Sequence, residues 1–150
     1  MSGKTRMPLT GQEHHFSITS TFAEVADVAE RAGDLCATAG AVALSDSLRL
    51  CLAEALNNVV EHAYRGEANG KIDIDLTVSP ESFAVTVTDA GEPMPGGTLP
   101  AGDIDMSYDD IDELPEGGFG WMLIRSEVDR LDYERRGDRN VLSLGKRADA

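Results

Sequence analysis

The chain is 150 residues long, enough for one domain with a core of its own, and its 41% hydrophobic and 27% charged residues are typical of a soluble globular protein. No apolar run approaches the roughly 20 residues of a membrane span, and the opening MSGKTRMPLTGQEHHF lacks the apolar centre of a secretory signal, so a cytoplasmic location is expected. A net charge of −14 argues against non-specific nucleic-acid binding, which needs clustered Lys and Arg.

Residues 1–13 read as a flexible start, followed by a first strand over HHFSITS (14–20). FAEVADVAERAGDLCATAG (22–40) has helical periodicity, with Ser20 or Thr21 as its cap and Gly40 as its stop. A longer helix is predicted over 43–66, capped by Ser45 and stopped by Gly66. KIDIDLTVS (71–79) and SFAVTVTD (82–89) alternate apolar and polar residues and should pair as a hairpin through Pro80-Glu81. Residues 90–117 hold four of the six prolines and five of the fifteen glycines and read as a functional loop. GFGWMLIRSEVDRL (118–131) resumes as a helix, and 132–147 reads as a hairpin turning at Gly137-Asp138. Cys36 and Cys51 fall in helical patterns without metal spacing and are expected to be reduced core thiols. The order β-α-α-β-β-loop-α-β-β predicts an α+β fold, a two-layer sandwich with helices on one face of a mostly antiparallel sheet.

Within the 43–66 helix, Leu52, Leu56, Val59, Val60 and Ala63 form an apolar face at 100° per residue. Glu54, Asn58, Glu61 and Arg65 line the other side. That side can be a solvated face with a Glu61-Arg65 pair. It can also be a ligand face, because the mid-helix pair Asn57-Asn58 has poor helix propensity and needs a reason. His62 fits either a structural or a ligand role.

Three distant stretches belong together: E54-x-x-x-N58-x-x-x-H62 on a helix, D89-A-G91 ending a strand, and G118-F-G120 opening a helix. Their order and spacing resemble the N, G1 and G2 boxes of the GHKL ATP-binding fold of gyrase, MutL and histidine kinases. The HAY after the first box and the ending DYERRGDRNVLSL are similar to the bacterial anti-sigma serine kinases of partner-switching systems. The resemblance spans about residues 14–147 as one ATP-binding domain, with a lid at about 90–117.

The resemblance implies ATP and Mg²⁺ as cofactors. Glu54 would be the catalytic base, and Asn58 would hold the metal, a hard ion that takes oxygen ligands. Asp89 would accept from the adenine amino group and Gly91 would admit the base closely. Gly117, Gly118 and Gly120 would bring a helix N-terminus to the phosphates. Asn140 or Ser143 on the last hairpin lies where the family has a polar residue near adenine. The implied activity is serine/threonine phosphorylation of a STAS-type anti-sigma-factor antagonist, with a sigma factor as second partner and a homodimer as the assembly. The alternative is a nucleotide-binding partner-switch module with little kinase activity.

Two features depart from the family pattern. Pro93 stands where the G1 box has its second glycine, and the lid holds no Lys or Arg, which leaves Arg65, Arg125 or a second subunit to supply positive charge. From Ile72 to Ile124 there are twelve acidic residues and no base, so a basic protein partner is expected, with 103–116 as part of its docking surface. Three other motif-like runs fail on spacing or on a missing residue. G66-EAN-G70-K71 has three residues between its glycines where a phosphate loop has four. The run from Asp103 to Asp109 lacks the glycine and final glutamate of a calcium loop, and G118-x-G120 lacks the third glycine of a dinucleotide fingerprint.

Overall fold

A computed structural model describes residues 11–99 and 118–148. Five strands form one sheet in the order β1-β2-β3-β5-β4, where β1 is Gln12–Thr19, β2 is Lys71–Ser79, β3 is Ser82–Asp89, β4 is Arg130–Arg136 and β5 is Arg139–Arg147. Every pairing is antiparallel. Helices α1 (Phe22–Thr38), α2 (Val42–Asn58) and α3 (Gly118–Glu127) complete the α+β architecture expected from the element order.

Alternation decides which face of the sheet is covered. Ile72, Ile74, Leu76 and Val78 of β2, Phe83, Val85 and Val87 of β3, and Leu142 and Leu144 of β5 are buried in one core with Val25, Val28, Leu48, Leu52 and Leu56 of the helices. The opposite face carries Asp73, Asp75, Thr86, Thr88 and Ser143, none of them buried. Among the described residues no helix is long and apolar enough to cross a membrane.

Thr21 caps α1 by accepting from the backbone N–H of Glu24 at 3.2 Å. The Ser45 cap is a correction: Ala41 occupies the cap position, while Ser45 is inside α2 and donates to the Val42 carbonyl at 2.8 Å. The two helices cross closely because Gly33 has no side chain, since a Cβ there would lie 2.4 Å from Arg49 Cγ. The Arg49 guanidinium spans the crossing to Asp34 at 2.8 Å and pairs with Asp46 of its own helix at 3.0 Å.

Three boundaries differ from the sequence expectation. β1 begins two residues earlier, at Gln12. α3 ends at Glu127, where the Lys146 ammonium donates to the Glu127 carbonyl at 2.6 Å, and Arg130 already belongs to β4. The long middle helix does not run to Gly66 as an α-helix: after Asn58 it widens into one π turn, Val59–Ala63. The Tyr64 N–H then reaches Val59 and the Gly66 N–H reaches Val60. Single π turns inside helices are uncommon and concentrate at functional sites.

Both cysteines are free and buried. Desolvation pushes the Cys51 thiol up to about 12 and raises Cys36 as well. A thiol reagent at about pH 8 should therefore label neither residue faster than the protein unfolds. Rapid labelling of the native protein would contradict this burial.

Candidate functional site

Two clusters on the covered face of the sheet take up most of the residues singled out in the sequence. The first is where α3 meets α2. Trp121 and Ile124 are buried and fasten α3 to the core, and Ser47 of α2 donates to Glu127 of α3 at 2.5 Å. This packing sets Gly120 over the polar face of α2. A Cβ on Gly120 would lie 2.7 Å from Glu54 Oε2 and 3.6 Å from Asn58 Nδ2. Glu54 and Asn58 thus lie against the backbone of Gly120, where any side chain would collide with the Glu54 carboxylate.

Asn58 is 7% exposed, and its buried amide nitrogen has no hydrogen-bond partner among the described residues. A buried amide hydrogen left unpaired costs about 1–3 kcal/mol, so this position calls for a ligand that bonds the side chain. Glu54 is partly exposed one turn earlier on the same face and is reachable by a reacting group.

The second cluster surrounds the end of β3. Asp89 is 5% exposed, and its Oδ1 accepts from the Gly91 N–H and from Asn140 Nδ2, both at 2.8 Å. Asn140 sits directly across from Asp89 in the β3–β5 register. Its amide also donates to the Glu92 carbonyl at 2.9 Å, while its oxygen accepts from the Tyr133 hydroxyl and from Arg135. With two donors and two acceptors engaged, the Asn140 amide is fully used inside the protein. It therefore backs Asp89 and the following loop. Ser143 lies on the opposite, uncovered face beside Thr86, away from this cluster.

Gly91 brings the loop against the helix. A Cβ there would lie 2.4 Å from the Ala63 carbonyl oxygen, and the next residue, Glu92, donates its N–H to that same oxygen at 2.8 Å. Further along, the Met94 N–H reaches Tyr133 at 2.9 Å and Arg135 donates to the Gly91 carbonyl at 2.7 Å. The loop is pinned on both sides of Pro93.

Of the residues expected at the site, Glu54, Asn58 and Gly120 share the first cluster, Asp89 and Gly91 share the second, and Gly118 opens α3. Gly117 and the acidic stretch 103–116 lie outside the described residues. The Glu61-Arg65 pair is not formed; Arg65 instead pairs with Glu92, and exposed His62 lies 3.8 Å from Glu61. Sequence reasoning missed Tyr64, Tyr133 and Arg135. The first was visible in the HAY run, while the other two required the hairpin register.

The residues fit a magnesium nucleotide. Asn58 would offer an oxygen to a hard ion, with a donor beside it that has no partner among the described residues. Gly120 keeps a side chain off Glu54 and Asn58, and Gly91 lets the loop after Asp89 close against the helix.

Residues 18–146 match the model of the histidine kinase-like ATPase domain, and the chain belongs to that family. It is 28% identical over 95 residues to the serine-protein kinase RsbW of Bacillus subtilis, covering 57% of this chain and 54% of that protein. It is 31% identical over 98 residues to the serine/threonine-protein kinase BtrW of Bordetella bronchiseptica, covering 65% and 67%. The chain spans about half the length of the RsbW relatives it matches. A solved structure of the RsbU and RsbW domains of Rv1364c from Mycobacterium tuberculosis shares the fold, with a TM-score of 0.62 at 15% identity, covering 91% of this chain and 32% of that one.

Burial, opposed by the bonds from Asn140 and Gly91 and by Arg135, raises the Asp89 carboxyl above its ordinary value. The native carboxyl therefore holds its proton more tightly than the unfolded one. Its contribution to stability is complete below the ordinary carboxylate range and is lost as pH rises through the native value. Asp89→Asn keeps an oxygen for Gly91 and Asn140 and removes the charge. In thermal melts it should match or exceed the unaltered protein at about pH 7, with the advantage shrinking by about pH 4. A lower melting temperature at neutral pH would contradict a carboxylate held at a cost.

Proposed function

We propose that the protein binds Mg·ATP with the adenine at Asp89 and Gly91 and the phosphates between Asn58 and the start of α3, and that it phosphorylates a serine or threonine of a small STAS-type antagonist. The observation that carries this reading is the buried, unpartnered Asn58 amide beside Glu54 under Gly120. Helix α3 opens with Gly118, and a helix N-terminus favours an anion through its unpaired N–H groups and its dipole. Asn58 would hold Mg²⁺, which when bound neutralises phosphate charge.

In the transfer, the substrate hydroxyl oxygen forms a bond to the γ-phosphorus as the bond to the leaving diphosphate oxygen breaks. Glu54 accepts the hydroxyl proton. Phosphate on the antagonist adds charge at the interface and releases it. The freed protein then sequesters a sigma factor in the cytoplasm, acting as a homodimer, and the acidic run from Ile72 to Ile124 suits a basic partner surface. The named kinase relatives support the chemistry, and the twelve acidic residues support the partner class.

Transfer of labelled phosphate from Mg·ATP to such an antagonist tests the reading. Glu54→Ala should lower transfer by at least about a hundredfold and leave ATP affinity within about threefold. Joint loss of binding and transfer would remove the base role. Asn58→Ala should weaken ATP binding about tenfold or more with Mg²⁺ present and much less in EDTA. An equal loss in both conditions would contradict a metal-holding Asn58. ATP binding by the unaltered protein without any transfer would leave a nucleotide-dependent partner switch in place of a kinase.

A further inference from the structure

Tyr64 follows the π turn and is only partly buried, yet its hydroxyl is used twice. It donates to the Lys71 carbonyl at 2.6 Å and accepts from the Ala90 N–H at 2.8 Å. Lys71 opens β2 and Ala90 follows Asp89 at the end of β3, so one hydroxyl ties the start of β2 to the end of β3, where the base-recognising loop departs. The ring reaches this point because residue 70 is glycine: a Cβ on Gly70 would lie 2.5 Å from three Tyr64 ring atoms. Burial raises the Tyr64 hydroxyl above its ordinary range, so it stays protonated and can serve both bonds.

Neither bond is needed to fill the core. Lys71 and Ala90 are both exposed, and water can replace the hydroxyl at each. A purely structural role would thus have little to do. What the pair of bonds does fix is the position of Ala90, between the Asp89 carboxylate and Gly91, from the helix side of the loop. Asn140, Arg135 and Tyr133 hold the same loop from the hairpin side.

We infer that Tyr64 is a positioning residue for nucleotide-base selection: through the Ala90 N–H it holds Asp89 and Gly91 where a 6-amino purine is preferred over a 6-oxo purine. The inference rests on the assignment of the base to Asp89. Loosening the loop leaves the phosphate end, with Asn58 and Gly120, intact. The loss should therefore fall on base discrimination.

The test is calorimetric titration of the full chain with Mg·ATP and Mg·GTP, alongside thermal melts without ligand. Tyr64→Phe should melt within about 3 °C of the unaltered protein, bind ATP about tenfold more weakly and lose most of its preference for ATP over GTP. Gly70→Ala, which displaces the ring from outside, should reproduce the lost preference. Asp89→Asn is the control for the underlying assignment. Preference abolished in Asp89→Asn but retained in both Tyr64→Phe and Gly70→Ala would overturn the role of Tyr64 alone. Preference retained in Asp89→Asn would overturn the placement of the base, and this role with it.

Discussion

The carbonyl of Ala63 is where the two halves of the site are joined. In an uninterrupted α-helix it would accept from the N–H four residues on. Here the π turn and the break at Tyr64 release it, and the Glu92 N–H takes it at 2.8 Å. The contact requires Gly91, because a Cβ there would overlap Ala63. One backbone bond and one missing side chain thus fix the loop that follows Asp89 to the helix that carries Glu54 and Asn58. The distance between the expected base and phosphate ends follows from that junction.

The site accepts local penalties that the core does not. An unpaired Asn58 amide and a buried Asp89 carboxylate each lower stability where Leu52, Leu56 and Val87 nearby raise it. Such groups are characteristic of positions kept for a ligand. The bonds around Asp89 show how the penalty is contained. Gly91, Asn140 and Arg135 all favour its charged form and oppose the rise that burial imposes.

Much of this was legible in the sequence, because the relevant signals are periodic or local. Alternation in residues 71–89 specified β2, β3 and the covered face, and the spacing of Glu54, Asn58, Glu61 and Arg65 placed a polar face on a helix. The π turn was not legible, since Val59 to Ala63 continue the apolar pattern and nothing local marks the switch to Tyr64 N–H bonding back to Val59. Ser45 misled as a cap because its hydroxyl is equally satisfied inside a helix, bonding back to Val42. The role of Asn140 depended on register. A pairing shifted by one residue would have sent its side chain to the uncovered face, where Ser143 lies.

The most direct measurement is a crystal structure of the full chain with Mg²⁺ and a non-hydrolysable ATP analogue. The account requires the metal at about 2.1 Å from the Asn58 side-chain oxygen and the adenine amino group within hydrogen-bond reach of Asp89 in the same bound molecule. A nucleotide bound with either end elsewhere, or a metal that does not touch Asn58, would contradict it.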